Sequence, residues 1–130
     1  MKNYTEQTNE TRQMLNRIAS VVAKRMGVGT DKLRLPTGTP GARRREYVEA
    51  RQITMAIGKR LLPEQVSLAW IGNEIGGRDH ATVLHAIKTV DNLCQTDKGM
   101  KRIYDELFVN LEVNLISQDL MDRITAIPQL

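Results

Sequence analysis

Residues 76–90 read Gly-Gly-Arg-Asp-His-Ala-Thr-Val-Leu-His-Ala-Ile-Lys-Thr-Val, and polar groups crowd the first half of the segment. Arg78 carries a fork of donors, Asp79 a carboxylate, His80 and His85 imidazoles, and Thr82 a hydroxyl. Such a set suits a metal site, a catalytic centre or the recognition of a polar surface. A helical zinc pair needs histidines four apart, whereas these are five apart. Cys94 is the single cysteine, which excludes a cysteine-based zinc site and an internal disulfide, so no metal is expected. No nucleophile stands in a recognisable motif with a base and an orienting acid, so no catalytic residue is expected. A G-x-x-x-x-G-K-[ST] loop is also missing, so no nucleotide cofactor is expected. Recognition is the reading that survives.

The elements around this segment follow helical periodicity throughout. Met14, Leu15, Ile18, Val22 and Met26 predict a helix over about residues 9–26, ended by Gly27 and Gly29. Asp31 is expected to cap a short turn that carries Leu33 and Leu35 to the core. Residues 36–42, Pro-Thr-Gly-Thr-Pro-Gly-Ala, must form a loop, which runs into Arg43, Arg44 and Arg45. A second helix follows with Tyr47, Ala50, Ile53, Thr54, Ile57 and Leu61 on one face, and Arg44, Arg51 and Lys59 falling away from it.

Ser67 is a plausible N-cap for a short helix with Leu68, Ile71 and Ile75 inward, broken by Gly76 and Gly77. Trp70 suits either the core or a partner surface. Asp79 can cap the next helix, whose inner stripe reads Val83, Leu84, Ile87, Val90, Leu93 and Cys94. Short helix, glycine turn and longer helix make the helix-turn-helix pattern. Asp97 can cap a further helix with Met100, Ile103, Tyr104, Leu107, Leu111 and Leu115 periodic. The tail from Ile116, with Leu120, Met121 and Ile124, predicts another short helix that Pro128 ends. No β-alternation persists anywhere, so the fold class is all-α.

At 130 residues, 41% apolar and 26% charged, the chain has room for one modest core. Between Lys24 and Arg60, ten basic residues meet three acidic ones, a local charge of +7. From Asp97 to Leu130, four basic residues meet six acidic ones. So basic a middle section suits a polyanion partner or a solvated helix face. No apolar run is long enough for a membrane span, and the polar N-terminus lacks a signal core, so a cytoplasmic protein is expected.

In a helix-turn-helix the first residues of the second helix meet base edges in the major groove. Here these are Arg78, Asp79, His80, Ala81 and Thr82, with His85 one turn along and Lys88 also directed outward. A carboxylate accepts from a cytosine amine, and an alanine methyl packs on a thymine methyl. Asp79 can serve as N-cap without losing that role.

The segment 76–90, the run Val-Val-Ala-Lys-Arg-Met-Gly-Val at 21–28, Ala-Arg-Gln-Ile-Thr-Met-Ala-Ile at 50–57 and the stretch from Ser67 occur together in order. This chain thereby resembles the C-terminal, DNA-binding domain of the bacterial replication initiator family DnaA, over roughly residues 10–115. The resemblance implies a Trp-repressor-like helical domain that binds double-stranded DNA. It assigns base reading to Asp79 and His80, places Thr82 on the family's second threonine, and sets His85 near a phosphate. It also places Arg43 in the minor groove, and Arg51 with Gln52 on the family's Arg-Gln pair at the phosphates. By charge, Arg44, Arg45, Lys59 and Lys88 are further phosphate neighbours. Ala81 departs from the family, which has a hydroxyl there, and Ala69 replaces a proline.

The expected organisation is a flexible start at 1–9, the DNA-binding domain at 10–115, and a partly helical extension at 116–130 open to self-association. Because no ATPase loop is found, the chain reads as a stand-alone module acting in replication initiation or its regulation, at the bacterial nucleoid. Competing readings are a transcriptional regulator, a phage or mobile-element module, an RNA binder, a protein-interaction domain and, least supported, an enzyme.

Overall fold

A computed structural model describes residues 4–126 of the chain. Among the described residues there are six helices and no strand: α1 (Tyr4–Met26), α2 (Thr30–Leu33), α3 (Arg45–Leu61), α4 (Leu68–Glu74), α5 (His80–Thr96) and α6 (Lys98–Thr125). The all-α expectation holds, with α4, the glycine turn and α5 as the helix-turn-helix.

α3 is the axle of the domain, contacting α1, α2, α4, α5 and α6. Its middle, Ala50 to Gly58, is therefore buried at every position but the half-buried Gln52, rather than along one stripe. That encirclement corrects the expectation that Arg51 falls away from the core, because the side chain is only 5% exposed. The guanidinium donates through Nε to the Leu33 carbonyl (3.1 Å) and through Nη2 to the carbonyls of Lys32 and Ala42 (both 3.2 Å). Its partners flank the glycine- and proline-containing loop at 34–41, so one side chain fixes both ends of that loop. Thr54, also fully buried, returns its hydroxyl to the Ala50 carbonyl at 2.8 Å.

Several boundaries differ from those read by periodicity. α1 begins at Tyr4 rather than near residue 9. Asp31 lies inside α2 and caps nothing, since the N-cap position is Gly29 and makes no side-chain cap bond. Ser67 and Asp97 do cap as expected, accepting from Trp70 N–H and from Gly99 and Met100 N–H. α6 continues without a break from Lys98 to Thr125, so the tail is the end of one long helix rather than a separate short one. Hydrogen bonds along a helix extend cooperatively, and no glycine or proline interrupts residues 100–125.

Outside the core, Arg12 clamps Glu74 with two bonds at 3.1 and 2.9 Å, tying α1 to the end of α4. Arg60 reaches Tyr104 Oη at 3.0 Å and lies over the Phe108 ring, joining α3 to α6.

Arg51 is the test of this reading. Arg51→Met keeps the bulk but strips three carbonyls of their donor, and should lower unfolding free energy by about 1–3 kcal/mol. Arg51→Lys should rescue little, because an ammonium cannot reproduce the planar fork. Urea denaturation measures both. An unchanged midpoint for Arg51→Met would rule the brace out.

Candidate nucleic-acid interface

The turn between α4 and α5 forms by close contact. Gly76 and Gly77 both adopt positive φ (73° and 72°), the left-handed region that glycine enters without strain. A Cβ on Gly76 would also sit 2.7 Å from the Leu35 carbonyl oxygen, so the start of the 34–41 loop lies directly against this turn. A Cβ on Gly72 would lie 2.2 Å from the Arg78 carbonyl oxygen and 3.0 Å from Val83. Glycine at 72 thus lets the incoming strand of the turn touch α4, where Arg78 N–H donates to the Gly72 carbonyl at 2.8 Å.

These contacts settle Arg78. Its guanidinium turns back to donate to the Ile75 carbonyl at 2.7 Å, and burial lowers its pKa below the ordinary value. Half-buried, Arg78 braces the turn through that bond. Arg51 lies close enough to feel it. Burial first, then the charge of Arg78, pushes Arg51 down to about 10, which leaves it cationic at neutral pH.

Asp79 is the N-cap of α5. One carboxylate oxygen accepts from both Thr82 N–H and Thr82 Oγ1, each at 2.9 Å. These two bonds, backbone first, hold the carboxyl below its ordinary pKa. The carboxylate is exposed with His80, Ala81 and Thr82 at the tip of α5.

Val83, Ala86 and Val90 form the buried face of α5. Leu84, expected inward, is instead 41% exposed. Ala86 is buried on the inner face with Ile87 and Cys94 packed partly buried beside it, and Leu84 points outward on the face of Ala81, His85 and Lys88. His85 Nε2 lies 3.4 Å from Thr89 Oγ1 along the same helix.

The basic residues divide into three settings. Arg43 and Arg44 are exposed and, with Thr37, Gly38, Thr39 and Gly41, line a hollow of about 370 Å³. Arg45 is exposed but paired with Glu49 at 2.9 Å. Lys59 and Lys88 meet in a groove of about 390 Å³ between α3, α5 and α6, together with Ile87 and Asp91. There Lys59 spends one donor on the Val66 carbonyl at 2.8 Å. Gln52 is half-buried, and Arg51, enclosed as described, is not available at the surface as a phosphate contact. Trp70 packs partly buried against the core.

Among the described residues no three His, Cys, Asp or Glu side chains are grouped to hold a metal, and no helix is long and apolar enough to cross a membrane.

The chain matches the family described as Bacterial dnaA protein helix-turn-helix over residues 15–90. It is 55% identical over 65 residues to the chromosomal replication initiator protein DnaA of Flavobacterium psychrophilum, covering 50% of this chain and 13% of that one. The protein of the same name from Bacteroides fragilis is 48% identical over 60 residues, 46% of this chain and 12% of the relative. That of Chromobacterium violaceum is 40% identical over 76 residues, 58% and 16% respectively. The chain therefore spans only a small part of the length of these relatives.

The Asp79 cap predicts a pH dependence. A carboxyl whose folded pKa is depressed adds stability above its unfolded value of about 3.9 and loses it as pH falls through the lower folded value. Wild type should melt above Asp79→Ala at neutral pH, and the difference should shrink as pH drops below that range. A gap in melting temperature that stayed constant down to the folded pKa would contradict the cap's charge dependence.

Proposed function

This chain belongs to the bacterial DnaA helix-turn-helix family, and on that footing we propose that it binds double-stranded DNA at specific sequences. The observation that carries the reading is one continuous exposed surface at the tip of α5, beside a loop held against the same turn. α5 would enter the major groove with His80, Ala81 and Thr82 at the base edges, and with the second oxygen of Asp79 as an acceptor. Leu84 and His85 extend that face by one turn. Arg43 would reach into the adjacent minor groove from the loop, with Arg44 at its rim. Lys88, Lys59 and Arg45 would lie along the phosphates. Arg78, half-buried with donors beyond the one given to Ile75, would stand at the edge of the major-groove face, while Arg51 would add positive potential from beneath the surface. Gln52, half-buried on α3, would add a phosphate contact.

Binding rather than catalysis is the activity. The setting we infer is replication initiation or its regulation at the bacterial nucleoid, supported by the initiator relatives that share this segment. Loss of the family hydroxyl at Ala81 leaves a methyl beside Leu84, which favours apolar contact with thymine methyls at that step.

Selection from a random duplex pool should return one defined motif. On that motif, His80→Ala should cost about 1–3 kcal/mol and relax discrimination at one or two base pairs. Lys88→Ala should weaken all duplexes alike and reduce the salt slope by about 1. Equal affinity for selected and random duplexes at physiological salt would refute the proposal. Ala81→Thr should change the preferred base at a single step, read by repeating the selection.

A further inference from the structure

α6 has two apolar faces. Tyr104, Leu107 and Leu111 close the domain core. A second stripe, Val109, Val113, Ile116, Leu120 and Ile124 with Met121 at its edge, is 51–62% exposed at every position. Isolated exposed apolar residues are ordinary, but an unbroken row is a surface made to be covered. At roughly 100° per residue, this row lies on the side of α6 opposite Leu107 and Leu111, where its own domain cannot reach. Val109 and Leu120, like Val113 and Ile124, are eleven residues apart. An eleven-residue repeat holds a stripe nearly parallel to the helix axis, here for roughly 22 Å at the α-helical rise.

The flanks identify the occupant. Between 109 and 124 the charged residues are Glu112, Asp119, Asp122 and Arg123. That acidic balance disfavours both a DNA backbone and an anionic lipid surface, which attract basic flanks. Glu112 and Arg123 border the stripe on one side, while Asn110 and Ser117 border it neutrally on the other. Arg123 is 77% exposed and its present partner is Asp119, at 3.0 Å within the helix.

We propose that the exposed stripe of α6 pairs antiparallel with α6 of a second copy, about a twofold axis between Ser117 and Gln118. Glu112 and Arg123 then lie on opposite sides of the axis at equal heights of roughly 8 Å. Each Glu112 therefore meets the second copy's Arg123 on the same flank. Along the seam Val109, the second copy's Ile124, Val113, the second copy's Leu120 and Ile116 alternate in height, and the twofold repeats the series. A parallel, in-register pair would instead set the flank of Glu112 and Arg123 against the neutral flank of Asn110 and Ser117, leaving both charges without a partner across the seam. The dimer does not depend on the DNA-binding reading. Taken with it, the twofold would present two α5 tips to half-sites in inverted orientation.

Sedimentation equilibrium of the intact chain, without DNA, tests the proposal. From low to high micromolar concentration the mass should rise from 14.7 kDa towards twice that value. Ile116→Glu, at an exposed position, should leave helicity and melting of the monomer unchanged and weaken association by about tenfold or more. Glu112→Arg should also weaken it, and adding Arg123→Glu should restore it. A mass fixed at the monomer value would overturn the proposal, as would undiminished association of Ile116→Glu. Failure of the double variant to regain association would overturn the antiparallel register.

Discussion

The Arg51 guanidinium, seated on three backbone carbonyls, is the interaction on which the recognition surface depends. Residues 34–41 contain two prolines and two glycines and supply no large side chain to a core other than the partly buried Leu35. Left to themselves they would have many conformations. Arg51 removes that freedom from below by binding the carbonyls on both sides of the loop. An arginine suits this task because its donors leave a rigid plane in fixed directions. Carbonyls also solvate a buried cation without neutralising it. The positive charge therefore stays in place under a surface that already carries Arg43 and Arg44.

From that fixed loop the geometry passes to the turn. Leu35 presses its carbonyl against Gly76, and Gly72 admits the backbone of Arg78 against α4. Two arginines consequently lie near each other, each hydrogen-bonded to backbone carbonyls. Burial, and after it the charge of Arg78, lowers the Arg51 pKa; the carbonyl bonds offset the repulsion between the two guanidinium groups. An anion arriving at the surface would relieve it further, so the same arrangement that strains the free protein favours a polyanion complex.

Helix order, caps at Ser67, Asp79 and Asp97, and the glycine turn were all legible because each depends on local chemistry. Side-chain direction on α3 was not. Periodicity assumes one buried face, and a helix surrounded by five neighbours has none to distinguish, so Arg51 looked like a surface cation. The bond of Arg78 to the Ile75 carbonyl was not legible for a related reason: nothing local says that a guanidinium after two glycines will fold back on a preceding carbonyl. Leu84 was placed inward by its apolar type, whereas Ala86 is the buried residue on that turn, and which of the two faces α3 is a tertiary property. The continuity of α6 beyond residue 115 was in principle readable, since neither a glycine nor a proline interrupts it until Pro128.

Once Asp79 and Thr82 are joined to each other, the tip of α5 has fewer free polar groups than its sequence suggests. Two of the strongest hydrogen-bonding side chains share one oxygen in a cap. His80 and the remaining Asp79 oxygen are left for directional bonds, while Ala81 and Leu84 offer only apolar contact. A surface so composed discriminates by shape and methyl placement as much as by hydrogen bonds. Apolar contacts carry less penalty when mismatched than an unpaired buried donor or acceptor does. On the proposed reading, tolerance at the Ala81 step would therefore be broad and strictness would concentrate at His80. Specificity lost at one step can be regained by binding two sites at once, since each added module multiplies the occupancy of the other. A tip with a bare methyl at Ala81, and a helix with a second apolar face, are in that sense complementary features of one chain.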